Sequence, residues 1–236
     1  MRILGAIFCF LLCLAQPALA EAPFRYKSLE QQLSWLADAN PGNIGIAALD
    51  LKTGEMVSIL GDEPFPMAST VKIAVAANYL SQVEFGRRTL DQTIAGLLAA
   101  RRDLHDVRDS STPKAMVDLL KRIDSGNLLK PQSRSYLLGL MARCATGKNR
   151  IRGLLPQGTL VQHKTGTLNN YTSDVGFITL PNGHRIAVAM FARQGTNRPA
   201  TIARAARAIF DGFTAVLRYP FQAATATAST AFAHQE

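Results

Sequence analysis

Ser173-Asp174-Val175-Gly176-Phe177-Ile178-Thr179-Leu180-Pro181-Asn182-Gly183-His184-Arg185-Ile186-Ala187-Val188-Ala189-Met190-Phe191 is the stretch that decides the fold. Two runs rich in apolar residues, Ser173 to Leu180 and Arg185 to Phe191, flank Pro181-Asn182-Gly183-His184, and Asn-Gly between such runs predicts a hairpin turn. Just upstream, Thr159 to Thr165 reads as a third strand, and downstream Pro199 to Leu217 reads as a long helix. Near the other end, Asn43 to Asp50 and Glu55 to Leu60 form a second hairpin around Lys52-Thr53-Gly54. Before it, Ser28 to Ala39 reads as a helix capped by Ser28, with Leu29, Leu33 and Leu36 on one face and Asn40-Pro41-Gly42 as its breaker.

The middle of the chain is helical. Ser69 to about Val83 is apolar nearly all round, which predicts a buried helix. Thr112 caps another, with Pro113 at its first position and Gly126 past its end. Pro131 opens a further helix running to about Arg143, with Gly147 as a stop. The order is helix, two strands, helices, three strands, helix. That predicts an α+β fold: one antiparallel sheet assembled from both chain ends, flanked by helices, with a shortened all-α subdomain between them.

The ends read differently from the body. Arg2, the apolar run Ile3 to Leu14, and Ala18-Leu19-Ala20 have the layout of an export signal cleaved after Ala20. The expected compartment is a bacterial periplasm or the exterior, with no stable membrane anchor. The expected organisation is therefore a signal over 1–20 and a discontinuous sheet domain over 21–66 and 150–219. A helical subdomain covers 67–149, and a tail rich in Ala and Thr covers 220–236. Cys9 and Cys13 would leave with the signal, so Cys144 stands alone without an intramolecular disulfide. His105, His163, His184 and His234 do not share metal-ligand spacing, so no metal or cofactor is expected. Lys and Arg number 26 against 17 Asp and Glu, a formal net charge of +9. The basic residues are scattered, without the aromatic-interleaved stripe of a nucleic-acid binder, so no nucleic-acid partner is expected. A monomer acting on a small-molecule substrate is the expectation for partners.

Chemistry concentrates at two joints between helices and sheet. At the first, Ser69-Thr70-Val71-Lys72 places a hydroxyl and an amine at i and i+3, on one helical face. A serine hydroxyl needs a nearby base to become a nucleophile, and a lysine buried beside it would have its pKa lowered toward useful basicity. Backbone N–H groups at a helix start suit an oxyanion. At the second joint, Lys164-Thr165-Gly166 ends the predicted strand. Lys164 and Thr165 can hold a carboxylate, Gly166 permits close approach, and the Thr167 N–H is a second oxyanion donor beside that of Ser69.

Phe65-Pro66-Met67-Ala68-Ser69-Thr70-Val71-Lys72 and His163-Lys164-Thr165-Gly166-Thr167 together resemble the class A β-lactamases and related penicillin-interacting serine enzymes. The resemblance extends through Asp174-Val175-Gly176, the Leu180-Pro181-Asn182-Gly183 turn and Arg185, and covers nearly all of the chain from residue 21 to about Tyr219. It implies an α/β domain plus an all-α domain, with the site in the cleft. It also implies an acyl-enzyme on Ser69 assisted by Lys72, and Arg185 as a further ligand of the substrate carboxylate.

Two family elements are missing. No Ser-Asp-Asn occurs, and Asp124-Ser125-Gly126-Asn127 reads as a helix stop. No glutamate follows Glu84 until Glu236, so the family's deacylating glutamate has no counterpart; Phe85 to Asp109 offers only Asp91, Asp103, Asp106 and Asp109. An internal deletion near Gln92–Thr93 accounts for both. Three activities are compatible with the sequence. They are β-lactam hydrolysis, slow-deacylating penicillin binding or acyl transfer on cell-wall peptide, and an inactive remnant acting only by binding.

Overall fold

The computed structural model describes residues 26–39, 43–90 and 110–218. The expected signal, the Asn40-Pro41-Gly42 breaker, Asp91, Asp103, Asp106, Asp109 and the 220–236 tail lie outside these residues. In chain order the elements are α1 (Lys27–Asp38), β1 (Asn43–Asp50), β2 (Met56–Ile59), β3 (Phe65–Pro66), α2 (Lys72–Glu84), β4 (Ser110–Ser111), α3 (Pro113–Asp124), α4 (Pro131–Ala142), β5 (Val161–Leu168), β6 (Tyr171–Thr179), β7 (Arg185–Arg193) and α5 (Arg198–Arg218). Short 3-10 turns occupy Ala68–Val71 and Ile151–Leu154.

The sheet is antiparallel with order β2-β1-β7-β6-β5. Both chain ends contribute, as the two hairpins required, and β5 lies at an edge. Alternation along each strand divides the interior into two cores. Ile44, Ile46, Ala48, Ile186, Val188 and Met190 face α1 and α5. Their neighbours Ala47, Leu49, Ala187, Ala189 and Phe191, with Val175 and Phe177, face the side of α2, α3 and α4. Each large side chain fully buried this way contributes about 1.5–3 kcal/mol relative to exposure.

Sequence signals fix α3 as expected. The Thr112 hydroxyl accepts from the Ala115 N–H at 3.1 Å, Pro113 opens the helix, and Gly126 turns left-handed at φ +81° beyond its end. Three expectations need correction. Ser28 lies inside α1 rather than capping it, because the chain is pinned one step earlier. The Tyr26 ring is buried 4.7 Å from that of Phe213, and its hydroxyl donates to Glu55 at 2.9 Å. The Ser69 helix is a 3-10 turn followed by α2, and α2 buries only Ile73, Ala77 and Leu80. Its remaining residues are partly or fully exposed, because the sheet side and α4 cover one face only. Finally, Lys164-Thr165-Gly166 lies inside β5. The strand continues to Leu168 because Thr165, Gly166, Thr167 and Leu168 pair with Asp174, Ser173, Thr172 and Tyr171.

Candidate active site

Ser69 sits in the 3-10 turn, half-exposed, and that turn packs against β5 and β6. Ala68 before it has φ +49°, a left-handed conformation costing a non-glycine residue about 1–3 kcal/mol. Three bonds to one carbonyl hold the turn: Met67 O accepts from the Thr70 hydroxyl at 2.5 Å, the Thr70 N–H at 3.1 Å and the Ser173 hydroxyl at 3.4 Å. Gly166 abuts it directly. A Cβ there would lie 2.8 Å from Met67 O and 2.9 Å from Ala68 Cβ, and would overlap Ser173 Oγ. The two joints read from the sequence therefore meet, and glycine is what lets the strand touch the serine turn.

Lys72 opens α2 one turn beyond Ser69, but it is exposed and no hydrogen bond joins the two side chains. This corrects the expected buried lysine, and the reason is the one-sided burial of α2. Lys164 is half-buried on β5 and donates to its neighbour's carbonyl, Thr165 O, at 2.6 Å. Burial lowers the Lys164 pKa first. Cys144 and Asp174 oppose that shift electrostatically, and the positive charges of Lys72 and Arg150 deepen it. Three cations thus act on one another across the site, an arrangement suited to an anionic group. Thr165 is buried, and its hydroxyl lies 2.6 Å from that of Thr146. Thr167 is exposed on the edge strand, where alternate backbone groups point away from the sheet.

Sequence reasoning missed Arg150. Its guanidinium donates to Gly166 O and Ser173 O, both at 2.8 Å, and to the Thr167 hydroxyl at 2.7 Å. Burial lowers its pKa, while Asp174 and Cys144 favour its charge. It clips the clamp end of β5 to β6. The signal was thin: one basic residue among several in Lys148-Asn149-Arg150-Ile151-Arg152. Thr146 and Cys144 were likewise not associated with the clamp.

Arg185 does not join this group. Its register partner is Thr179, whereas Thr165 lies across from Asp174 and then Met190. Five residues along β7 separate the two places, about 17 Å at strand spacing. Arg185 instead ion-pairs with Asp124 at the end of α3, donates to Gln162 at 2.9 Å and stacks 4.4 Å over the Phe177 ring. The structure therefore does not bring Arg185 together with Lys164 and Thr165. Arg185→Ala should lower stability by about 1–2 kcal/mol, the range for hydrogen bonds to charged groups with partial exposure. Urea melts check this; unaltered stability would refute it.

A sequence profile described as the β-lactamase enzyme family matches residues 28–96 and 96–213 in two segments. The chain therefore belongs to the β-lactamase enzyme family. β-Lactamase VEB-1 of Pseudomonas aeruginosa is 44% identical over 94 residues, covering 36% of this chain and 31% of that protein. A β-lactamase of Bacteroides uniformis is 28% identical over 146 residues, covering 57% and 49%. Among solved structures, a variant of the last common ancestor of Gram-negative bacteria β-lactamase class A aligns with TM-score 0.72 and 26% identity. That alignment covers 80% of this chain and 99% of that one. This chain spans less than half the length of the curated relatives it first matches. The profile's break at residue 96 falls beside the deletion read from the sequence near Gln92–Thr93.

Proposed function

We propose that the chain is an exported serine acyl-transfer enzyme that opens β-lactams onto Ser69 and releases the product slowly. The observation that supports it most is the meeting of the Ser69 turn with β5 at Gly166, the strand that carries Lys164, on which Lys72 and Arg150 act electrostatically. In this reading a β-lactam carboxylate is held by the Lys164 ammonium and the Thr165 hydroxyl. The Ser69 hydroxyl attacks the lactam carbonyl, with Lys72 taking its proton. The Ser69 and Thr167 N–H groups stabilise the developing oxyanion. The ring C–N bond then breaks, its nitrogen takes up a proton, and the Ser69 ester remains. Substrates of this class are β-lactams or the cell-wall peptides they imitate. The signal-like segment at residues 1–20 supports a periplasmic or secreted setting. Among the described residues no helix is long and apolar enough to cross a membrane.

Intact-protein mass spectrometry tests the reading. Incubation with benzylpenicillin should add one mass equivalent of the drug to the full chain, and Ser69→Ala should add none. An adduct that survives in Ser69→Ala, or its absence from the parent chain, would reject the serine assignment.

A further inference from the structure

On the face of β5 and β6 opposite Lys164, the face that Thr165 shares by alternation, lies a buried polar pair that the chemistry above does not use. His163 and Asp174 are both fully buried, and His163 Nδ1 lies 2.7 Å from Asp174 Oδ1. Asp174 Oδ2 accepts from the Ile151 N–H at 3.2 Å. Strand alternation turns neighbours to opposite faces, so each member of this cluster stands next to a residue of the site. His163 precedes Lys164. Asp174 follows Ser173, whose hydroxyl reaches Met67 O beside the Ser69 turn and whose carbonyl accepts from Arg150. Ile151 follows Arg150 itself.

We propose that the buried His163–Asp174 pair is a positioning device for the clamp. It ties β5 to β6 beneath Lys164 and draws the Ile151–Leu154 turn, and with it Arg150, onto the two strands. Neither residue touches substrate; both are positioning residues, and their role rests on the acyl-transfer reading given above.

Burial works against an ionised Asp174. Burial raises the Asp174 pKa, although hydrogen bonds from His163 and Ile151 and the charge of Arg150 pull the other way. A carboxyl that binds its proton more tightly folded than unfolded gains the fold stability as pH falls from the raised pKa toward the ordinary one. The ionisable groups facing it are His163, Arg150 and, at longer range, Lys164. His163 Nε2 is buried with no hydrogen-bond partner among the described residues, a further cost that core packing alone gives no reason to keep.

Hydrogen–deuterium exchange of the full chain, paired with Ser69 labelling by a fluorescent penicillin, tests the proposal. His163→Ala and Asp174→Ala should each raise exchange roughly tenfold over residues 148–154 while α5 keeps its protection. Asp174→Asn retains an oxygen for the Ile151 N–H and should restore most of that protection. Labelling should slow roughly 10²-fold in the alanine variants. Unchanged exchange over 148–154, or an equal rise across α5, overturns the proposal. If the parent chain takes no label, the acyl-transfer reading fails, and the exchange data alone decide the positioning role.

Discussion

Once formed, the penicilloyl ester on Ser69 should persist. Acylation needs a nucleophile, a proton acceptor and an oxyanion site, and Ser69, Lys72 and two backbone N–H groups are proposed to supply them. Hydrolysis of the ester needs a water activated from another direction. The sequence holds no glutamate between Glu84 and Glu236 to act as that base. General-base catalysis is typically worth ~10²–10⁴ in rate, so deacylation should be slower by about that factor than in a relative that has the glutamate. After free drug is removed, serial mass spectra should show the adduct decaying far more slowly than it formed. Lys72 is exposed, so acylation itself should also be slow, since the lysine is neither desolvated nor hydrogen-bonded to the serine. Rapid multiple turnover would reject this expectation and would direct attention to Asp91, Asp103 and Asp106 as replacements for the glutamate.

Gly166→Ala should abolish measurable capture without unfolding the sheet. The added methyl would press on Met67 O and Ala68 Cβ at 2.8 and 2.9 Å and overlap the Ser173 hydroxyl. Two of those three neighbours belong to the segment that carries Ser69, and one is backbone, which cannot rotate away. The least costly response is for the serine turn to retreat from β5. Displacing a reacting group by about 1 Å commonly costs ~10² in rate. Overpacking of this kind costs about 1–3 kcal/mol, so the fold should survive with a lowered melting temperature. Stopped-flow labelling beside a thermal melt separates the two effects. Normal labelling in Gly166→Ala would show that the turn and the strand need not touch.

Much of the architecture was legible in the sequence because it is governed by short periods and local turn chemistry. The Asn182-Gly183 hairpin joins β6 and β7 as read, with Gly183 left-handed at φ +83°. Thr112 and Pro113 start α3 where they should. The expectations that failed each depended on what lies across from a residue. Ser28 has good capping chemistry, but the burial of Tyr26 moved the helix start. The α2 sequence is apolar enough for full burial, yet only the Ile73, Ala77 and Leu80 face has a cover.

The sequence by itself determined the α+β class, the hairpins, the nucleophile candidate and the Lys164-Thr165-Gly166 strand. These are set within a few residues, by side-chain period and by i to i+3 spacing. The two absent family elements were also visible there, since an absent tripeptide and an absent glutamate need no coordinates. Only the tertiary structure decided which cations attend the clamp. Arg185 and Lys164 both lie on predicted strands of one sheet, but the register of β5, β6 and β7 sets them far apart and gives Arg185 to Asp124. Arg150 lies in an irregular stretch with no period of its own, and its position comes from partners 16 to 23 residues away, Gly166 and Ser173. The bond from Ser173 to Met67 spans 106 residues. Contacts of that range arise from how strands and turns pack in space, and no local pattern encodes them.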